Sequence, residues 1–158
     1  MIERLLRSLF PMSFLHAMLE LYLSIDTRER EAATGYIFFD GKVLVIRQSY
    51  GSQGWTYPGG FVHAKEVPEI GFRREVFEEV GLILTRVKLI EKTTDSRKNH
   101  NVTIHRFYAE AETEKTVPDK VEVLETRWVS FEKLPEYIPS DPYLEKAKTL
   151  YTHYAHTT

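Results

Sequence analysis

Cysteine is absent from the 158 residues, which removes disulfides, thiolate metal sites and thiol nucleophiles together. A chain without disulfides fits a reducing compartment, so cytoplasmic residence is the expectation. A strong charge of either sign is also missing. The formal net charge is -2, which gives no general pull toward nucleic acid, and no stable nucleic-acid partner is expected. The six histidines show no paired metal spacing. Nor does any apolar run reach the roughly 20 uninterrupted residues of a membrane span. The nearest approach is Leu5 to Ile25, where Pro11, His16 and Glu20 break the run and no small-residue cleavage site follows Arg4 and Arg7. A helix is expected there, with no stable membrane partner.

What remains is ordinary globular material. Hydrophobic residues at 42% and charged residues at 28% are enough for one domain with a real core. In the N-terminal stretch, Leu5, Leu9, Met12, Leu15, Leu19 and Tyr22 form one apolar row, and Phe10, Phe14, Met18, Leu21 and Ile25 a second. A helix this apolar needs cover, either from its own domain or from a second copy in a homodimer. The charged run from Asp26 to Glu31 then marks a boundary, dividing the chain into an apolar helix (1–28) and a main body (29–158).

In the main body Tyr36–Phe39 and Val43–Ile46 flank Asp40-Gly41, a strong hairpin signal. Pro68 suits the first turn of a helix that should run to about Val80 and stop at Gly81. Strands are expected over Leu82–Thr93, Val102–Glu110 and Val121–Val129, with a polar loop at 94–101. A closing helix should start at Asp141 as cap, with Pro142 just inside. The body therefore reads as a mixed sheet flanked by helices, an α/β layered architecture.

The chemistry concentrates between Gly60 and Leu82. Glu75, Glu78 and Glu79 stand at i, i+3 and i+4 and share one helix face, with Phe72, Val76, Val80, Phe77 and Ile70 expected on the packed side. Like charges at this spacing cost roughly 0.2–0.5 kcal/mol per pair, so something should compensate. Hard oxygen ligands on a rigid helix suit Mg²⁺ or Mn²⁺. Taken alone, the three acids would more readily be a solvated face than a metal site.

Their surroundings decide between the two readings. Gly60, Glu66, Arg74, Glu75, Val76, Glu78, Glu79, Gly81 and Leu82 stand at the spacing of the Nudix box, a chance match of about 10⁻⁸ per window for seven fixed residues. From about Ala33 to Leu134 the chain resembles Nudix hydrolases. The resemblance implies an α/β/α sandwich with a mixed sheet, here with an extra N-terminal helix. It also implies Mg²⁺-dependent cleavage (Mn²⁺ substituting) of the diphosphate bond in a small nucleotide-type substrate, either a nucleoside diphosphate joined to another group or a nucleoside triphosphate. By that resemblance Glu75, Glu78 and Glu79 bind metal, the Gly60 carbonyl adds a ligand, and Arg74 and Glu66 orient the acids. A distant loop acid often joins them, and Glu122 is the candidate, with Asp119 and Glu125 behind it. Arg47, Trp55 and Tyr57 are candidate substrate contacts, with a salt bridge and core packing as the plainer alternatives. The loop Arg97–His100 is a weaker candidate. The box leaves His63 and Lys65 unfixed, where the family often has an acid and a glycine. Isomerases of the same fold are expected to use a cysteine that this chain lacks. A catalytically silent nucleotide-binding module is the remaining alternative.

Overall fold

Strands β1 (Arg30–Phe39) and β2 (Lys42–Gln48) meet at Asp40-Gly41. Both turn residues have positive φ, 45° and 73°. Such turns match the right-handed twist of paired strands, and glycine takes the second position without strain. The register at the hairpin is Phe38↔Val43 and Phe39↔Lys42. Beyond those pairs the strands part and each takes other neighbours. β1 pairs antiparallel with β4 (Gly59–Phe61) and parallel with β6 (His100–Ala111). β2 pairs antiparallel with β3 (Trp55–Thr56) and β7 (Val123–Ser130). β5 (Leu84–Arg97) closes the far edge on β6. One parallel pairing among antiparallel ones makes the sheet mixed. The computed structural model describes residues 30–49, 54–97 and 100–155; the expected N-terminal helix and any pairing of copies through it lie outside them.

The polar stretch 94–101 is not the loop its composition suggests. Thr94↔Thr103, Asp95↔Val102, Ser96↔Asn101 and Arg97↔His100 continue the ladder, while Lys98 and Asn99 lie outside the described residues. Polarity misleads here because an antiparallel pair satisfies the backbone of both strands and lets polar side chains face water.

Period-2 alternation splits the core between the two sheet faces. Ile37, Leu44, Ile46, Phe107 and Ala109 face helix α1 (Pro68–Val80) and bury its Phe72, Val76 and Val80. Tyr36, Phe38, Val43, Val45, Tyr108 and Val129 face the other way. There they are covered by the single turn α2 (Leu134–Tyr137) and by α3 (Leu144–Ala155), which contributes Ala147, Leu150 and Tyr151. The result is the expected α/β/α sandwich.

Helix α1 has the bounds its punctuation implies. Pro68 occupies the first turn, and Gly81, left-handed at φ 70°, donates its N–H to the Phe77 carbonyl at 2.9 Å. Its packed face differs from the expectation. Ile70 and Phe77 are 55% and 59% exposed, whereas Glu79 is 1% exposed. At about 100° per residue, Phe72, Val76, Glu79 and Val80 fall within one arc, with Ile70 and Phe77 on the far side. Burial thus follows helical phase, and a carboxylate takes a core position.

These burials carry a stability prediction. Phe72 is fully buried, with its ring centroid 5.2 Å from that of Phe107. Phe72→Ala should cost about 3–5 kcal/mol in urea unfolding, and Phe77→Ala no more than about 0.5 kcal/mol. Comparable losses for the two would contradict this orientation of α1.

Candidate active site

The loop between β4 and α1 folds back on the helix through Arg74. Its guanidinium grips Glu66 in two bonds, Nε to Oε1 and Nη2 to Oε2, both 3.0 Å. Nη1 donates to Glu75 at 2.7 Å and to Glu78 at 3.2 Å, and Nη2 also reaches the Phe61 carbonyl at 3.0 Å. One planar cation therefore joins the loop acid, two helix acids and the backbone of β4, an arrangement that suits arginine's fixed donor fork. Glu66 accepts a further bond from the His63 N–H at 2.8 Å. The Arg74 side chain and that backbone bond hold the Glu66 carboxyl down at about 2.

Glu79 lies deeper. It accepts the Gly59 N–H at 2.8 Å and a bond from the Gln48 side chain. These donors do not offset the loss of water: burial pushes its carboxyl up to about 8, with the charges of Glu75 and Glu122 adding to the rise. Glu75 is raised as well, by burial first and by Glu78 and Glu122, against the lowering pull of Arg74. The glycines make this approach possible. Gly59 sits at φ 142°, where a Cβ would fall 2.2 Å from the Ala33 carbonyl oxygen. A Cβ on Gly60 would lie 2.5 Å from Glu75 Oε2 and displace that carboxylate.

Glu122 arrives from a loop docked on the C-terminal end of α1. Val117 N–H bonds to the Val80 carbonyl at 2.7 Å and Asp119 N–H to the Glu79 carbonyl at 2.9 Å, using carbonyls the helix leaves unpaired. Trp128 Nε1 ties the same loop down at the Glu114 carbonyl, 2.8 Å away. The other two acids named as candidates, Asp119 in this loop and Glu125 on β7, are engaged elsewhere. Asp119 accepts the Val121 N–H at 2.9 Å, and Glu125 forms ion pairs with Arg47 at 3.2 Å and with Arg127.

Beside Gly59 and Gly60, where β1 and β2 diverge, a cleft of about 350 Å³ opens. Its walls include Ala32, Thr34, Gln48, Tyr57, Phe61 and Ile104. Of the candidate substrate contacts, Tyr57 stands in this wall. Trp55 and Arg47 do not. They are cross-strand partners on β3 and β2. Trp55 packs edge-on against Tyr137 at 5.2 Å and lies 5.0 Å under the Arg127 guanidinium, on the α3 side of the sheet. Gln48 escaped the sequence reading. Its only signal is a polar residue at the end of β2, two places after the apolar run Val43–Ile46.

The donor set fits a small divalent cation. All donors are hard carboxylate oxygens, and the most buried one, Glu79, has its charge raised in cost by burial and by two neighbouring carboxylates. Among the described residues no three acidic or histidine side chains enclose an ion as they stand, since Arg74 draws Glu75 and Glu78 and Gly59 draws Glu79.

Comparison with known proteins bears on this geometry. A family model described as the NUDIX domain matches residues 29–151. RNA pyrophosphohydrolases of Sodalis glossinidius (strain morsitans) and Proteus mirabilis (strain HI4320) are each 43% identical to this chain over 54 and 53 residues, 34% of this chain. The match spans 30% of the length of those relatives. A MutT NUDIX hydrolase from Burkholderia pseudomallei superposes with a TM-score of 0.60 at 22% identity, over 66% of this chain and 85% of its own. The E. coli ORF135 protein gives 0.62 at 22% identity, over 78% and 91%. These two likenesses concern the fold.

The Glu66–Arg74 pair carries a pH prediction. A depressed folded pKa contributes stability that is complete above the unfolded value of about 4.5 and disappears as pH falls through about 2. Glu66→Gln should therefore be less stable than the natural chain at pH 7. That gap should shrink below about pH 4.5 and close near pH 2 in denaturant titrations. A gap independent of pH would contradict the pairing.

Proposed function

The chain belongs to the Nudix family, and on that premise we propose that it is a divalent-cation-dependent hydrolase of the diphosphate bond in a nucleotide derivative. The substrate class is a nucleoside diphosphate joined to a further group, or a nucleoside triphosphate. The observation that carries this reading is a buried, donor-held Glu79 and the Arg74-bridged Glu75 set directly behind Gly59 and Gly60, which line a cleft of about 350 Å³.

Glu75, Glu78 and Glu79 would hold Mg²⁺, or Mn²⁺ in its place, with Glu122 and the Gly60 carbonyl completing the ligands. Bound there, the cation supplies charge neutralisation of the diphosphate and lowers the cost of deprotonating water. The residues of the chain do the rest. Arg74 and Glu66 keep Glu75 and Glu78 aimed, a role in which orientation sets affinity. Glu78 is the most exposed of the three, its side chain 58% accessible. With Oε2 held by Arg74, Glu78 leaves Oε1 to take the proton of the attacking water. Attack in line with the departing phosphate then breaks the P–O bond. The cleft receives the nucleoside: its floor and walls are largely apolar, with Thr34, Gln48, Thr56 and Tyr57 as polar points.

The RNA pyrophosphohydrolase relatives align with only part of this chain, so a triphosphorylated RNA 5′ end stands beside nucleotide sugars, dinucleoside polyphosphates and free triphosphates as a member of the panel to be assayed. A silent binding module would be favoured by loss of the acids, and all are in place. Phosphate release from that panel with Mg²⁺ and Mn²⁺ tests the proposal. Glu78→Gln should lower kcat at least about a hundredfold with unchanged circular dichroism. Full turnover by that variant at saturating Mg²⁺ would sink the assignment.

A further inference from the structure

Asp141, at the turn that leads into α3, accepts hydrogen bonds from three donors. The Tyr57 hydroxyl donates to Oδ2 at 2.6 Å, the Tyr36 hydroxyl reaches both oxygens at 2.6 Å, and the Tyr143 N–H donates to Oδ1 at 3.0 Å. The two tyrosine rings lean on each other with centroids 4.5 Å apart. Burial, then the bond to Asp141, pushes both hydroxyls far above the ordinary tyrosine range, so they stay donors at every physiological pH. The turn into α3 needs one of these bonds, that from the Tyr143 N–H. The two hydroxyls tie a remote carboxylate to β1 and, through Tyr57 alone, to the wall of the cleft.

Tyr57 is the member of this cluster that lines the cleft. It also begins the segment that reaches the acids. The next residue, Pro58, offers its carbonyl to Thr34 Oγ1 at 2.9 Å, and Gly59 follows with the N–H given to Glu79. We propose that Asp141 is a positioning residue for substrate selection, which through the Tyr57 hydroxyl fixes the ring as a rigid wall of the nucleoside cleft. A fixed wall costs nothing to order when substrate enters, so its loss falls on binding and leaves the chemical step alone. The inference rests on the cleft assignment made above.

The test is a double-mutant cycle of Asp141→Ser, Tyr57→Phe and the pair. Serine keeps an oxygen for the Tyr143 N–H, and so the turn into α3, but is too short to hold Tyr57. Two readouts are taken: calorimetric Kd for AMP, GMP, CMP and UMP without metal, and KM and kcat on the best substrate of the panel. Each single variant should weaken Kd and raise KM about tenfold, the loss of one charge-assisted bond, with kcat within about twofold. The double variant should be no worse than either single one. Additive losses, a fall in kcat with KM unmoved, or no nucleotide binding to the natural chain would each overturn the inference. Coupled losses in Kd together with no turnover of any substrate would uphold it and defeat the hydrolase reading instead.

Discussion

One guanidinium carries the arrangement at the head of α1. Without Arg74, Glu66, Glu75 and Glu78 would stand together with like charge and no shared partner, at a cost of a few tenths of a kcal/mol for each exposed pair and more where they are buried. Arg74 instead bonds Glu66 twice and Glu75 and Glu78 once each, and adds the Phe61 carbonyl. Loop, helix and β4 are thereby fixed relative to one another by a single planar group. Lysine would not serve, because a point charge cannot meet two carboxylate oxygens side by side while reaching a third acid.

Glu79 shows the opposite balance. It fills a core position at the edge of the arc formed by Phe72, Val76 and Val80, and two donors, Gly59 N–H and Gln48, face a full desolvation cost. Burial wins, and the carboxyl is driven up to about 8. A hydrophobic residue there would make a more stable helix. The carboxylate is retained at a place where the fold brings glycine backbone, the Glu75 side chain and the Glu122 loop together. That is the physical sense of the proposed cation site: a charge whose burial is favourable only beside an opposite charge.

Much of this was legible in the sequence, and the exceptions have physical causes. Pro68 and Gly81 bracket α1 because each has a backbone reason to be where it is, and Asp40-Gly41 makes its turn for the same kind of reason. The acids were legible as one face, but spacing alone did not say which of them would be buried, or that Phe77 would be turned out to make room. Tertiary packing sets the rotation of a helix with acids and apolar residues on several sides. On β2, proximity to the glycine loop suggested Arg47, yet strand alternation sends Arg47 to the α3 side to pair with Glu125, and Gln48, one residue on, meets Glu79. Asp141 was legible only as the cap of a closing helix, which in fact starts at Leu144 with Asp141 in the turn before it. Its bonds to Tyr57 and Tyr36, 84 and 105 residues away, are created only by the folding of the sheet.

The central claim is that the buried carboxylate and its neighbours hold a divalent cation together. Mn²⁺ titration followed by electron paramagnetic resonance, on the natural chain and on Glu79→Gln, reads it directly. The account predicts saturable binding by the natural chain, weakened at least about tenfold by the substitution. Equal affinity in both proteins, or no bound Mn²⁺ in the natural chain even with a diphosphate present, would contradict it.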